Sequence, residues 1–188
     1  MGNIIKKILI ATVVSTAFIS SSAFAANTDS QDLLVNATVQ DECSIANPAD
    51  VTFATVNINE AAGASALLLK NGSQFTSQNI YVSCNYGAKL TAASTNGGLL
   101  NAAGAALAAN DPNDFTNIIE YRVTLNPTDN SFPKLFLQTL TGTTKSVIAA
   151  GAFHNNASLE VRIDRDDTAK RPVAGLYTDT ATLTVGPV

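Results

Sequence analysis

The sequence predicts an all-β fold, an antiparallel sandwich. Apolar and polar residues alternate with period two in one stretch after another. These stretches are short and bounded by turn-forming clusters. Small and β-compatible residues (Ala, Thr, Asn, Ser, Gly) dominate, Trp is absent, and Met occurs only as the initiator.

The chain opens with "MGNIIKK", a positive leader, followed by "ILIATVVSTAFI", an apolar run too short to span a bilayer comfortably, and the small-residue exit "SSSAFA". This is the pattern of a secretory signal peptide over residues 1–25, cut after Ala25. After the polar "ANTDSQD" comes "LLVNATVQDECS", in which Leu33, Val35, Ala37 and Val39 share one face and Asn36, Thr38 and Gln40 the other. It reads as an amphipathic strand with a cysteine directly behind it.

Further strands are expected in order. "VTFATVNI" alternates over 51–58. "NIYVSCNY" places Ile80, Val82 and Cys84 on one face, and "AKLTAAS" follows. "IIEYRVTL" sets Ile119, Tyr121, Val123 and Leu125 against Ile118, Glu120, Arg122 and Thr124. "KLFLQTL" and "SLEVRID" continue the pattern. "LYTDTATLTV" turns Tyr177, Ala181, Leu183 and Val185 inward, with threonines on its other face. The turn signals "ANPAD", "KNGS", "NPTDN" and "TGTT" separate them. "EAAGASALLLK" reads as a helical turn or a loop leading into a strand. The Ala/Gly/Asn-rich segment 97–114 reads as a long surface loop, its glycines weakening any helix. No internal repeat or interdomain linker interrupts the series.

The formal net charge is −4, and Lys6 and Lys7 belong to the leader, so the rest is more acidic still. A dispersed negative charge argues against nucleic acid or anionic lipid as partner, since both require clustered cations. No later apolar run is long enough for membrane insertion. Cys43 and Cys84, an even pair in an exported chain, read as one disulfide closing a loop of about 40 residues, worth roughly 3–4 kcal/mol. Two sulfurs do not make a four-ligand zinc site, and His154 is the only histidine.

Catalytic chemistry finds no residues to carry it. His154 has no serine or cysteine nucleophile in a recognisable motif. "DRDD" (Asp164, Asp166, Asp167) lacks the glycine and distal glutamate of a calcium loop and reads as a solvated hairpin turn, as does "NDPND" around Asp111. "NGGLLNAAG" lacks the Lys-Ser/Thr ending of a phosphate loop. The expectation is no enzyme, no metal and no cofactor.

In order along the chain, "ATVQDECSIANPADVTF", "NIYVSCNYG", "IEYRVTL" and "AGLYTDTATLTV", with the cysteine placements and the ending Gly175, Tyr177, Asp179, Thr180, resemble the spore coat protein U-like domain. That family includes subunits of archaic, Csu-type chaperone–usher pili, and the resemblance runs from Leu33 to Val185. It implies an incomplete immunoglobulin-like β-sandwich completed by donor-strand exchange, with residues 26–42 as donor-strand extension and 43–188 as pilin domain. Leu33, Val35, Ala37 and Val39 would then enter a neighbouring subunit. Tyr177, Ala181, Leu183 and Val185 would border the groove that receives a donor. The implied partners are a periplasmic chaperone, an outer-membrane usher and other pilus subunits. The implied destination is a secreted, cell-surface pilus serving adhesion and biofilm formation. The chain departs from the family in its Ala-rich middle and its "GPV" end. The alternative is a secreted sandwich, a coat or ligand-binding module complete as a monomer, with Leu33–Val39 as a strand of its own fold. Tyr81, Tyr86, Tyr121 and Tyr177 are scattered and suggest no sugar platform.

Overall fold

The computed structural model describes residues 29–188, so the expected signal peptide, residues 1–25, lies outside the described residues. The chain divides after Thr38. Residues 29–38 carry neither strand nor helix, and every one of them is exposed. A single strand with no neighbour has no ladder to stabilise it, so the alternation read there as a strand exists as pattern alone.

Residues Val39–Val188 form an all-β, immunoglobulin-like sandwich. The strands are β1 (Cys43–Ile45), β2 (Gln74–Cys84), β3 (Ala88–Ser94), β4 (Leu99–Leu100), β5 (Phe115–Thr116), β6 (Ile118–Ile119), β7 (Tyr121–Asn126), β8 (Leu135–Gln138), β9 (Thr144–Ala149), β10 (Phe153–Ile163), β11 (Arg171–Pro172) and β12 (Ala181–Pro187). One sheet has the order β1-β2-β10-β7-β8 and the other β12-β3-β9, all pairs antiparallel. Two short pairs, β4 with β6 and β5 with β11, tie loops together at one end.

Period two sends alternate side chains into the space between the sheets. Ala88, Leu90, Ala92 and Ser94 of β3 point inward, as do Tyr121, Val123 and Leu125 of β7 and Leu135 and Leu137 of β8. Ile80, Val82 and Cys84 of β2 meet them, with Ala157 and Leu159 of β10. Cys43 stands directly across the ladder from Cys84, and the two are bonded.

The structure corrects several expectations. "VTFATVNI" is no strand. Only Ile58 makes a bridge, to Leu69. Pro48 lacks an N–H and ends the ladder after β1. Beyond it the Gln78 side chain acts as a substitute strand, its Oε1 accepting from Ala49 N at 2.8 Å and its Nε2 donating to Ala49 O at 2.9 Å. Phe53, Val56 and Ile58 nonetheless pack against the core, so the alternation there reports burial rather than pairing. Segment 97–114 holds β4 and a six-residue helix, Ala105–Asn110, anchored by buried Ala108. "DRDD" is a 3-10 turn rather than a solvated hairpin. Asp167 is buried and meets Arg122 through Nη2 at 2.6 Å and Nε at 2.5 Å.

Replacing both cysteines, Cys43→Ala with Cys84→Ala, is expected to lower the unfolding free energy of the oxidised protein by about 3–4 kcal/mol, read as a shifted urea midpoint. Reductant should shift the wild type by a similar amount and leave the variant unmoved.

Candidate functional site

The sandwich has two unlike sides. On one, the 3-10 turn Thr139–Thr141 carries the chain from β8 directly to β9. On the other, β1 and β12 are the outermost strands of their sheets and no ladder joins them. One edge of β12 is bonded to β3, and among the described residues nothing pairs with its other edge. A free edge of seven residues presents unpaired backbone N–H and C=O groups.

This open side is troughed. A cleft of about 330 Å³ has Pro48, Val51 and Phe53 on one bank and Asp179, Ala181 and Leu183 on the other, over a floor that includes Val123, Leu159 and Val161. A second, of about 280 Å³, separates Ile45–Pro48 from Ala181–Leu183. Both clefts lie beside the first residues of β12, at Ala181 and Leu183. From there they reach Ile45, two residues from Cys43, in one direction and Asp179 in the other.

Of the residues expected to border a groove, Ala181 and Leu183 face the trough, Ala181 exposed and Leu183 half-buried. Val185 packs on the core beneath β12. Tyr177 precedes the strand and lines a separate apolar cleft. Its hydroxyl donates to Val173 O at 2.7 Å. Of the residues expected to act as donor, Leu33, Val35, Ala37 and Val39 are all exposed.

Sequence reasoning missed the polar clamp at the far end of the trough. Asp179 Oδ2 accepts from Ser94 Oγ at 2.5 Å and from the Tyr121 hydroxyl at 2.7 Å, while Oδ1 accepts from Asn96 N at 2.9 Å and Thr180 N at 2.8 Å. One carboxylate thus fastens the start of β12 to β3 and β7. Burial foremost, and then the hydrogen bond to the Asp179 carboxylate, push the Tyr121 phenol above its ordinary pKa. The motif that ends in Asp179 and Thr180 begins with Gly175 for a steric reason. Gly175 has φ +145°, and a Cβ there would collide with the buried Asn101 side chain. The spacing of these residues was visible in the sequence, but their common purpose was not.

Sequence reasoning also missed Asn85. Its Nδ2 donates to Gln40 O at 2.7 Å, its Oδ1 accepts from Glu42 N at 2.8 Å, and its backbone N–H donates to Glu42 O at 3.1 Å. Residues 40–42 are therefore bound to the sandwich beside the disulfide.

His154 shares a 2.6 Å hydrogen bond with Ser83 and stacks on Tyr81 on the outer face of β2 and β10. Among the described residues no group of three or more His, Cys, Asp or Glu is placed to hold a metal ion, and no helix is long and apolar enough to cross a membrane.

A family model, the Spore Coat Protein U domain, matches residues 29–184. No curated protein and no solved structure matches the chain.

The clamp makes a pH prediction. Below pH 10 the Tyr121 phenol is neutral whether folded or unfolded. Above its ordinary value of 10.0 the unfolded phenol ionises while the folded one keeps its proton, so stability falls as pH rises. Urea unfolding between pH 7 and 11 should show Tyr121→Phe losing about 1–2 kcal/mol at neutral pH. Above pH 10 the variant's decline should be shallower than the wild type's by up to one proton's share, about 1.4 kcal/mol per pH unit.

Proposed function

The chain belongs to the Spore Coat Protein U domain family, and from that premise we propose that it is a structural subunit of an extracellular pilus assembled by the chaperone–usher pathway. The family is associated with such subunits. In this reading residues 26–42 are a donor-strand extension and residues 43–188 the domain that accepts one. The extension of one copy lies along the free edge of β12 in another. The leader is removed in export, a periplasmic chaperone covers the trough in transit, and an outer-membrane usher directs the exchange. The fibre serves surface adhesion and biofilm formation.

The observation that carries this reading is the conjunction of an apolar trough beside an unpaired strand edge with a separate, exposed, alternating segment. An edge of this kind invites a strand from another chain, which satisfies the backbone and buries every second side chain. The seven residues from Leu33 to Val39 span about 23 Å when extended. Leu33 is 85% exposed, Val35 79% and Val39 81%. Full burial of each is worth about 1.5–3 kcal/mol, with Ala37 adding less and the backbone ladder adding more. A trough floored by Val123, Leu159 and Val161 offers the apolar surface against which that burial occurs.

The test is electrophoresis of purified material in detergent. The full chain is expected to give a ladder that persists at room temperature and collapses on boiling. Deleting residues 26–40 should abolish the ladder while the domain stays folded and retains chaperone binding. Leu33→Asp with Val35→Asp should speed dissociation of the joint by about a hundredfold or more, because each places a charge in an apolar site. A full chain that runs as a monomer before boiling, or a deletion that unfolds the domain, contradicts the proposal and favours a secreted sandwich complete in itself.

A further inference from the structure

An apolar cleft of about 500 Å³ lies at the end of the sandwich away from the disulfide, lined by Ile58, Leu67, Leu107, Phe115, Val173 and Tyr177 among others. It is separate from the trough, but Val56 and Ile58 on one side and Val173 to Tyr177 on the other stand only a few positions along the chain from the trough's Phe53 and Asp179. Leu107 is 56% exposed and Leu67 43%. No charged lysine or arginine lines it, and its one acidic member is Asp111. Exposed apolar surface of this kind marks an interaction site.

The occupant follows from the way residues 40–42 are held, taken together with the donor-strand reading on which this inference rests. Asn85 binds Gln40 and Glu42 to their own sandwich beside Cys43, so no free linker separates Val39, the last donor residue, from the domain that carries it. The domain must therefore abut whichever end of the acceptor the donor's last residue reaches. A donor running parallel to β12 would end beside the acceptor's disulfide, where the acceptor's own residues 40–42 already leave. Three domains would crowd one point and no chain could grow. An antiparallel donor ends at the opposite pole, which gives a head-to-tail contact that repeats without limit. That pole holds the cleft.

The disulfide end of the incoming copy offers a blunt apolar feature. Ala150, Gly151 and Ala152 form the exposed turn between β9 and β10. The turn lies next to the root of the extension: Phe153 pairs with Cys84, which pairs with Cys43, and Gly87 approaches the Ala150 carbonyl closely. We infer that the cleft around Leu107 seats the Ala150–Ala152 turn of the next copy, so that consecutive domains bear on one another end to end as well as sharing a strand.

A double variant, Leu107→Cys with Ala152→Cys, tests the contact in assembled fibres. Both positions are exposed, so the fold should tolerate the changes. After oxidation the ladder should survive boiling without reductant and collapse with it, and mass spectrometry should find residues 107 and 152 joined between copies. In parallel, Leu67→Glu with Leu107→Glu should keep the boil-sensitive ladder but give fibres whose persistence length in electron micrographs is severalfold shorter. A normal ladder with no such cross-link and unchanged persistence length overturns the end-to-end contact and leaves the shared strand standing. Absence of any boil-sensitive ladder from the unmodified chain overturns both.

Discussion

The structure turns on one unsatisfied element, the outer edge of β12. Its inner edge is bonded along its length to β3, and its half-buried Leu183 and Val185 belong to the core. Yet no described residue bonds to the opposite edge, and β1 across the gap belongs to the other sheet. Backbone donors and acceptors left in this state favour any strand that can pair with them. In the proposed reading, the trough marks the line along which the sandwich awaits a strand from another copy. Of its floor, Val123 and Leu159 are buried and Val161 is half-buried.

Polar contacts fix both banks of the trough. A sandwich missing a strand would gain by letting its sheets close over the gap, since apolar surface would leave water. Asp179 opposes this at one end by fixing the first residues of β12 to Ser94 and Tyr121, and Gln78 opposes it along the facing bank by fixing Ala49 to β2. Farther along the same sheet, Arg122 and Gln138 converge on buried Asp167 and lock the loop after β10. The buried Asp167 carboxylate stripped of its donors would be strongly destabilising, so that clamp enforces one geometry.

The sequence made the regular parts legible and hid the irregular ones. β3 coincides with "AKLTAAS", and the buried set Ile119, Tyr121, Val123 and Leu125 is the one that alternation indicates. The cysteine pairing followed from count and compartment and is present. Alternation misled at 51–58, because apolar residues can turn toward a core without finding a backbone partner, as Phe53 and Val56 do. The helix Ala105–Asn110 was obscured by its glycine-rich surroundings, although Gly104 sits where a Cβ would strike Val173 and Asn101, and so is there for close packing rather than flexibility. Asp167 looked like one acid among three on a turn. Its burial depends on Arg122 forty-five positions away, a contact that no local pattern encodes. The trough was equally illegible as a shape. What the sequence carried was its two ingredients, a final strand with one apolar face and a leading segment with another.

Hydrogen exchange on the backbone amides of residues 181–186 that face away from β3 tests the central claim most directly. In the isolated domain, kept monomeric by deletion of residues 26–40, these amides should exchange orders of magnitude faster than those bonded to β3. In fibres of the full chain they should become as slow as their bonded neighbours. Equal and slow exchange of both sets in the monomer would mean that the domain already closes its own edge, and the account would be wrong.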